Sequence, residues 1–246
     1  PLLRRLQLEA PGTYHHTLMV ANLAEAAAEA VGADPLLTRV GTYYHDVGKL
    51  RRPGFFVENQ IGARNPHDRL APSLSALAIA AHVKDGLELA RQYRLPKVVA
   101  DFIPQHHGTS LMLYFYHRAL EQQDGPVDPA AFRYDGPKPQ SREAAIVMLA
   151  DTVEAAARSV QNPSPDRIRE LVRRIVRERL EDGQLDECDL TFRDLERIVE
   201  AFTRLLVSMF HPRVEYPEVS LEAHRRRRER RLGALPVPGR PRRTGP

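Results

Sequence analysis

The chain has 246 residues, 42% hydrophobic and 28% charged, which suits one sizeable domain with a real core. Its single cysteine, Cys188, excludes a disulfide framework and a cysteine-based zinc site, and is compatible with a reducing cytosol. The net charge of +4 is concentrated in 225–231, RRRRERR; without that segment the balance would be about −1, so the charge says little about the substrate.

No apolar run approaches the roughly 18 residues of a membrane helix, and no signal peptide opens the chain. The first residue, Pro1, is not methionine, so a piece of a longer protein is expected, with 1–8 as a linker from a preceding region. Thereafter the periodicity is helical almost throughout. Thr13 can cap a helix whose inner stripe is His16, Val20, Leu23, Ala27 and Val31, ended by Gly32. Pro35 starts a second helix, with Leu36, Val40 and Tyr43 on one face, which runs into His45-Asp46. The breakers Pro53, Gly54, Gly62, Pro66 and Pro72 make 51–72 a long loop, a kind of segment more often functional than idle.

Ser73 opens a helix to about Val83, and a further helical stretch covers 85–94. Pro96 starts another that reaches His106-His107 and stops at Gly108. Residues 109–122 read as an amphipathic, aromatic-rich helix and 123–140 as a Pro/Gly loop. A strong helix over 141–160 places Val147, Met148, Asp151 and Ala155 on one stripe. Two long helices follow, 165–182 and 191–210, the second opening with Thr191 and Asp194 at capping-box spacing. The sequence thus describes an all-α fold, one helical bundle over 9–217. A disordered Arg/Pro-rich tail over 218–246 follows, too poor in apolar residues to build a core.

Within this frame, imidazoles and carboxylates recur on inward faces: His16, His82 and Asp151 lie on apolar stripes. A carboxylate among Val147, Met148 and Ala155 is costly to bury without a cation. His45-Asp46 and His106-His107 fall at helix ends, where successive side chains, about 100° apart in mid-helix, can converge. Each feature alone has a bland explanation as a hydrogen-bonded core histidine or a polar helix end. Four separate helix faces presenting such groups point instead to divalent metal ions held by mixed imidazole and carboxylate ligands, the apparatus of phosphate-ester hydrolysis. His67, His117, His211 and His224 default to surface or capping roles. Lys49 is either a solvated helix-end lysine or a cation for a substrate phosphate. Asn59 and its neighbours Glu58 and Gln60 either contact substrate or cap turns. Tyr14, Tyr43, Tyr44, Tyr114 and Tyr116 are assigned to packing rather than to base stacking.

The segments APGTYHHTLMVANLAEAAAEA, YYHDVGKLRRPGFFVENQ, SLSALAIAAHVKDG, QHHGTSLMLYFYHRA, FRYDGPKPQSREAAIVMLADTVEAA and LEDGQLDECDLTFRDLE resemble the HD-domain phosphohydrolases. More narrowly they look like the catalytic domain of PgpH-type seven-transmembrane HD phosphodiesterases. The resemblance implies two divalent transition metals, iron or manganese: one held by His16, His45, Asp46 and Asp151, the other by Asp46, His82, His106 and His107, with Asp46 bridging. It further implies hydrolysis of cyclic di-AMP to linear pApA by a metal-bridging hydroxide, with Lys49 and Asn59 near the phosphates and no nucleic-acid partner. In that family membrane helices precede the domain. The implied location is therefore the cytoplasmic face of the bacterial inner membrane, this fragment itself being soluble. The absence of a GYP signature argues against cyclic di-GMP. Other nucleotides, guanosine polyphosphates among them, or a non-catalytic nucleotide sensor remain the rival readings.

Overall fold

The computed structural model describes residues 1–209 except 61, 63–64, 123–124 and 161–162. The tail expected over 218–246, the boundary at 217, His211 and His224 lie outside the described residues. Within them the regular structure is helical, apart from one isolated bridge between Leu111 and Arg133.

The segment expected as a linker is a helix, α1 (Leu2–Glu9), held by burying Leu2 and Leu6. Leucines four apart share one helical face, and these two join Ala10, Val47, Leu50, Leu89 and Ile103 in a small apolar cluster. Helix α2 (Pro11–Val31) begins at Pro11, two residues before the expected cap. Thr13 lies instead in the first turn, where helical N–H groups lack partners; its N–H donates to Asn59 Oδ1 at 3.1 Å. Gly32, at φ 70°, closes the helix in the left-handed conformation, with its N–H donating to the Ala28 and Glu29 carbonyls.

Helix α3 (Pro35–Tyr44) is capped by Asp34, which accepts from the Leu37 N–H at 2.9 Å. Its buried face is Thr38, Gly41 and Thr42, not the expected stripe: Leu36 is 68% exposed. The threonines can face inward because each hydroxyl donates to the carbonyl four residues back. Gly41 must lack a side chain there, because a Cβ would sit 2.4 Å from the Phe102 ring.

After short 3-10 turns at Val47–Arg51, Pro53–Phe55, Val57–Asn59 and Pro66–Arg69, the two helical stretches expected between 73 and 94 form one helix, α4 (Pro72–Gln92). Gly86 does not interrupt it; it is buried against Gly48, whose own Cβ would lie 1.8 Å from the His82 carbonyl oxygen. This backbone-to-backbone contact seats the turn after His45-Asp46 directly on α4. The helix expected from Pro96 to His107 is broken into α5 (Lys97–Ala100) and α6 (Phe102–Gln105). Pro104 has no N–H for the carbonyl four residues back, which accounts for the break. Helix α7 (Leu113–Gln122) is shorter than expected because 109–112 run alongside the Arg133 segment.

Ser141 and Ser164 cap α8 (Arg142–Ala157) and α9 (Pro165–Glu181) through their side chains. At α10 (Phe192–Met209) the Thr191 and Asp194 side chains each accept from the other residue's N–H, at 3.2 and 3.0 Å, the reciprocal box their spacing implies. The main core is formed by α2, α8, α9 and α10, with α8 nearly encircled by apolar neighbours. Among the described residues no helix is long and apolar enough to cross a membrane.

Candidate metal centre

Seven side chains converge where α2, α3, α4, α6 and α8 meet. Their ligand atoms form two groups, each within 4.8 Å: His16, His45 and Asp151 in one, Asp46, His82, His106 and His107 in the other. Asp46 faces both. Its Oδ2 lies 3.8 Å from His16 Nε2 and 3.4 Å from His45 Nε2, while Oδ1 lies 3.4 Å from His82 Nε2 and 3.7 Å from His106 Nε2. Asp151 Oδ1 is 2.9 Å from His16 Nε2, and its Oδ2 faces His107 Nδ1 at 3.8 Å.

Four imidazoles have their Nδ1 committed elsewhere. His45, His82 and His106 place Nδ1 at 2.6, 2.7 and 2.7 Å from the carbonyls of Thr42, Ile79 and Ile103. His16 places its Nδ1 at 2.5 Å from Glu154 Oε2. A donor Nδ1–H leaves a lone pair on Nε2, aimed at the shared centre, the usual arrangement of a metal-binding histidine. His107 is held differently, its ring stacked on Tyr134 with centroids 4.1 Å apart.

The donor set fits divalent metal. Asp46 Oδ1 and His45 Nε2 are buried without a hydrogen bond, and stranding a carboxylate oxygen this way is costly unless a cation lies beside it. Lys49 Nζ supplies part of that charge 2.8 Å from Asp46 Oδ2, while donating to Glu58 Oε1 at 2.8 Å. It cannot satisfy Oδ1, which opens on His82 and His106.

Electrostatics express the same demand for positive charge. Burial opposes protonation of His16 and His45, but bonds to the Asp151 and Glu154 carboxylates raise His16 to about 9, and the charges of Asp46 and Asp151 raise His45 to about 10. In the other group burial dominates: with the charge of His45 it takes His106 down to about 3, and it lowers His82 and, beside His106, His107 as well. Asp46 and Asp151 are held low despite burial, Asp46 by Lys49 and His45, Asp151 by its bond to His16 and the charges of His16 and His107. Lys49 is raised, because the charges of Asp46 and Glu58 outweigh its desolvation.

Above the centre opens a cavity of about 240 Å³, lined among others by His16, Lys49, Phe56, His82, Tyr134 and Arg158. Asn59 does not line it: its Oδ1 caps Thr13 and its Nδ2 donates to the Thr13 hydroxyl at 2.9 Å. Sequence reasoning missed Glu154, although it lies one helical turn beyond Asp151, and Tyr134, which sits in an aperiodic loop with no signal to find it. His67 is buried rather than superficial, its Nε2 2.9 Å from the Phe55 carbonyl and its ring against Phe115.

The HD domain family model matches residues 13–156. The cyclic-di-AMP phosphodiesterase PgpH of Bacillus subtilis is 54% identical over 220 residues, covering 89% of this chain and 31% of the relative. That of Listeria monocytogenes is 47% identical, covering 89% and 30%. The chain thus spans about a third of the length of these relatives. The crystal structure of the L. monocytogenes PgpH HD domain with cyclic-di-AMP superposes at a TM-score of 0.83, with 47% identity over 88% of this chain and 100% of that one. With the His-Asp pair of its name at the centre of the site, the chain belongs to the HD domain family and is a relative of the PgpH phosphodiesterases.

Proposed function

We propose that this domain hydrolyses cyclic di-AMP to linear pApA, using two divalent transition metals, iron or manganese, bridged by Asp46. The observation that carries this reading is the buried Asp46 carboxylate, whose two oxygens face two sets of imidazole Nε2 atoms and whose Oδ1 has no hydrogen bond. The similarity to a domain crystallised with cyclic-di-AMP supports the substrate. Divalent cations held there activate water and neutralise charge developing on phosphorus. Asp46 and Asp151 supply the anionic ligands, and Glu154 fixes the His16 ring. Lys49, at the cavity wall, adds a positive charge toward the phosphate. In the full-length protein the domain would face the cytoplasm from the bacterial inner membrane.

Metal analysis should give two ions per chain, and the metal-replete domain should cleave cyclic di-AMP in preference to cyclic di-GMP. A preference for cyclic di-GMP, or no cleavage of either by fully loaded protein, overturns the substrate; one ion per chain at full activity overturns the bridged pair.

A further inference from the structure

Four histidines of the centre are fixed through a ring nitrogen, three by main-chain carbonyls and His16 by Glu154. His107 is not. Among the described residues its ring makes no hydrogen bond; it lies stacked on Tyr134, with Nδ1 3.8 Å from Asp151 Oδ2. Its aim therefore depends on the chain that carries it, and that chain is gripped from outside the centre.

The grip comes from the end of α9. Gly183, at φ 67°, turns the chain in the left-handed conformation, and the Gln184 N–H donates back to the Arg179 carbonyl at 3.0 Å. This drops the Gln184 side chain inward, fully buried, against the turn after His107. Its Oε1 accepts from the Thr109 N–H at 2.9 Å, and its Nε2 donates to the Thr109 hydroxyl at 3.0 Å and to Asp182 Oδ2 at 2.9 Å. Gly108, at φ 53°, lies under this amide only because it has no side chain: a Cβ would come 2.4 Å from Gln184 Oε1. The Thr109 carbonyl accepts from Arg133 at 2.8 Å, and Arg133 donates to Asp182 at 2.8 Å. Thr109, Gln184, Asp182 and Arg133 thus close a circuit of hydrogen bonds. It joins the residues after His107 to the residue before Tyr134. A buried amide bonded at both ends is costly to leave unpaired, so the circuit holds or fails as a unit.

We propose that Gln184 is a positioning residue for His107: through Thr109 and Arg133 it sets the stacked pair of His107 and Tyr134, and with it the affinity of the Asp46, His82, His106 and His107 group for a metal ion. The role rests on the two-metal reading above. Gln184 itself is no ligand, and the His16, His45 and Asp151 group has no member on the braced turn. Its signature is therefore a split between the two ions.

The test titrates metal into the apoprotein against a competing chelator and reads each ion separately. In Gln184→Met, similar in length but without the amide, one ion should bind about 10- to 100-fold more weakly, while the other stays within about twofold of wild type. Histidine-labelled NMR of the metal-free variant should show the His107 ring displaced and the His45 ring unmoved. Thr109→Val, which keeps the main-chain N–H and loses only the hydroxyl, should give the same split in smaller measure, and reads it if Gln184→Met does not fold. Thr191→Ala, which breaks the cap of α10 without touching the circuit, should lower Tm and keep both affinities. Two ions weakened by the same factor in a folded variant, or both unchanged, overturn the role. Wild-type protein that takes up one ion at full activity overturns the two-metal reading, and the role falls with it.

Discussion

Asp46 is the residue on which the centre turns, because its two oxygens address different histidine groups. Asp46→Ala should abolish metal binding and activity together while far-UV circular dichroism keeps its helical signature; metal retained at wild-type stoichiometry would show that Asp46 is no ligand. Neighbouring histidines give a sharper contrast, since His15 is exposed and His16 buried. His15→Ala should leave metal content nearly intact, whereas His16→Ala should strip it, as elemental analysis will read. Glu154 tests the support of the site. Glu154→Gln should weaken metal affinity about 10- to 100-fold, the usual cost of losing the partner that orients a metal-binding histidine. An affinity within twofold of wild type in a chelator competition would deny that role. The converging histidines and aspartates were legible because a polar group on an apolar stripe announces itself. Asn59 marks the limit of such reading: an amide in a loop can cap a distant helix as readily as it can meet a ligand, and spacing does not distinguish the two.

Helix identity was likewise legible, helix ends less so. The box at Thr191 and Asp194 could be read because capping chemistry is local. The merging of two expected stretches into α4 could not, since Gly86 reads as a breaker until its partner, Gly48, is known from tertiary contact. Gly48→Ala should cost about 1–3 kcal/mol or more, because its Cβ would collide with the main chain of α4 rather than with a side chain able to move. A thermal melt reads this; an unchanged Tm would mean that the turn lifts off α4 freely. The Tyr134 loop is fastened to the end of α9 by Arg133 and Asp182, whose nitrogen and oxygen approach to 2.8 Å. The Asp182 carboxyl is held below its ordinary range because its bonds to Arg133 and Gln184 outweigh partial burial. A depressed folded-state value stabilises above the unfolded value of about 4 and is lost as pH falls below it. Asp182→Asn should therefore cost about 0.5 kcal/mol at neutral pH, screening included, and narrow to nothing in acid melts; a difference independent of pH would refute the ion pair.

At the scale of the molecule, the centre lies between two apolar clusters, the large one of α2, α8, α9 and α10 and the smaller one around α1, Val47 and α4. Its ligands come from both sides, so bound metal ties the halves together. Ligands that bind the folded state alone stabilise it by mass action, about 2.7 kcal/mol at a hundredfold excess over Kd. Chelation should accordingly lower Tm by several degrees and replenishment restore it; a melt insensitive to metal would mean that the site adds nothing to cohesion. The all-α class was readable from periodicity over long segments. The packing of α1 was not, because Leu2 and Leu6, among four leucines in eight residues, acquire meaning only when Val47 and Leu89 are known to receive them.

The histidines of the centre differ in what holds their rings, and that difference sets how each tolerates sequence drift. His45, His82 and His106 are aimed by main-chain carbonyls at 42, 79 and 103, which any residue supplies equally well. Those three positions are free to change their side-chain chemistry, within the space available, without releasing the ring. His16 depends on the carboxylate of Glu154, which no substitution except another acid of the same reach can replace. Random mutagenesis should therefore strike His16 through a residue that binds no metal, while the carbonyl-held rings of His45, His82 and His106 are not released by a change of side chain at the positions that aim them.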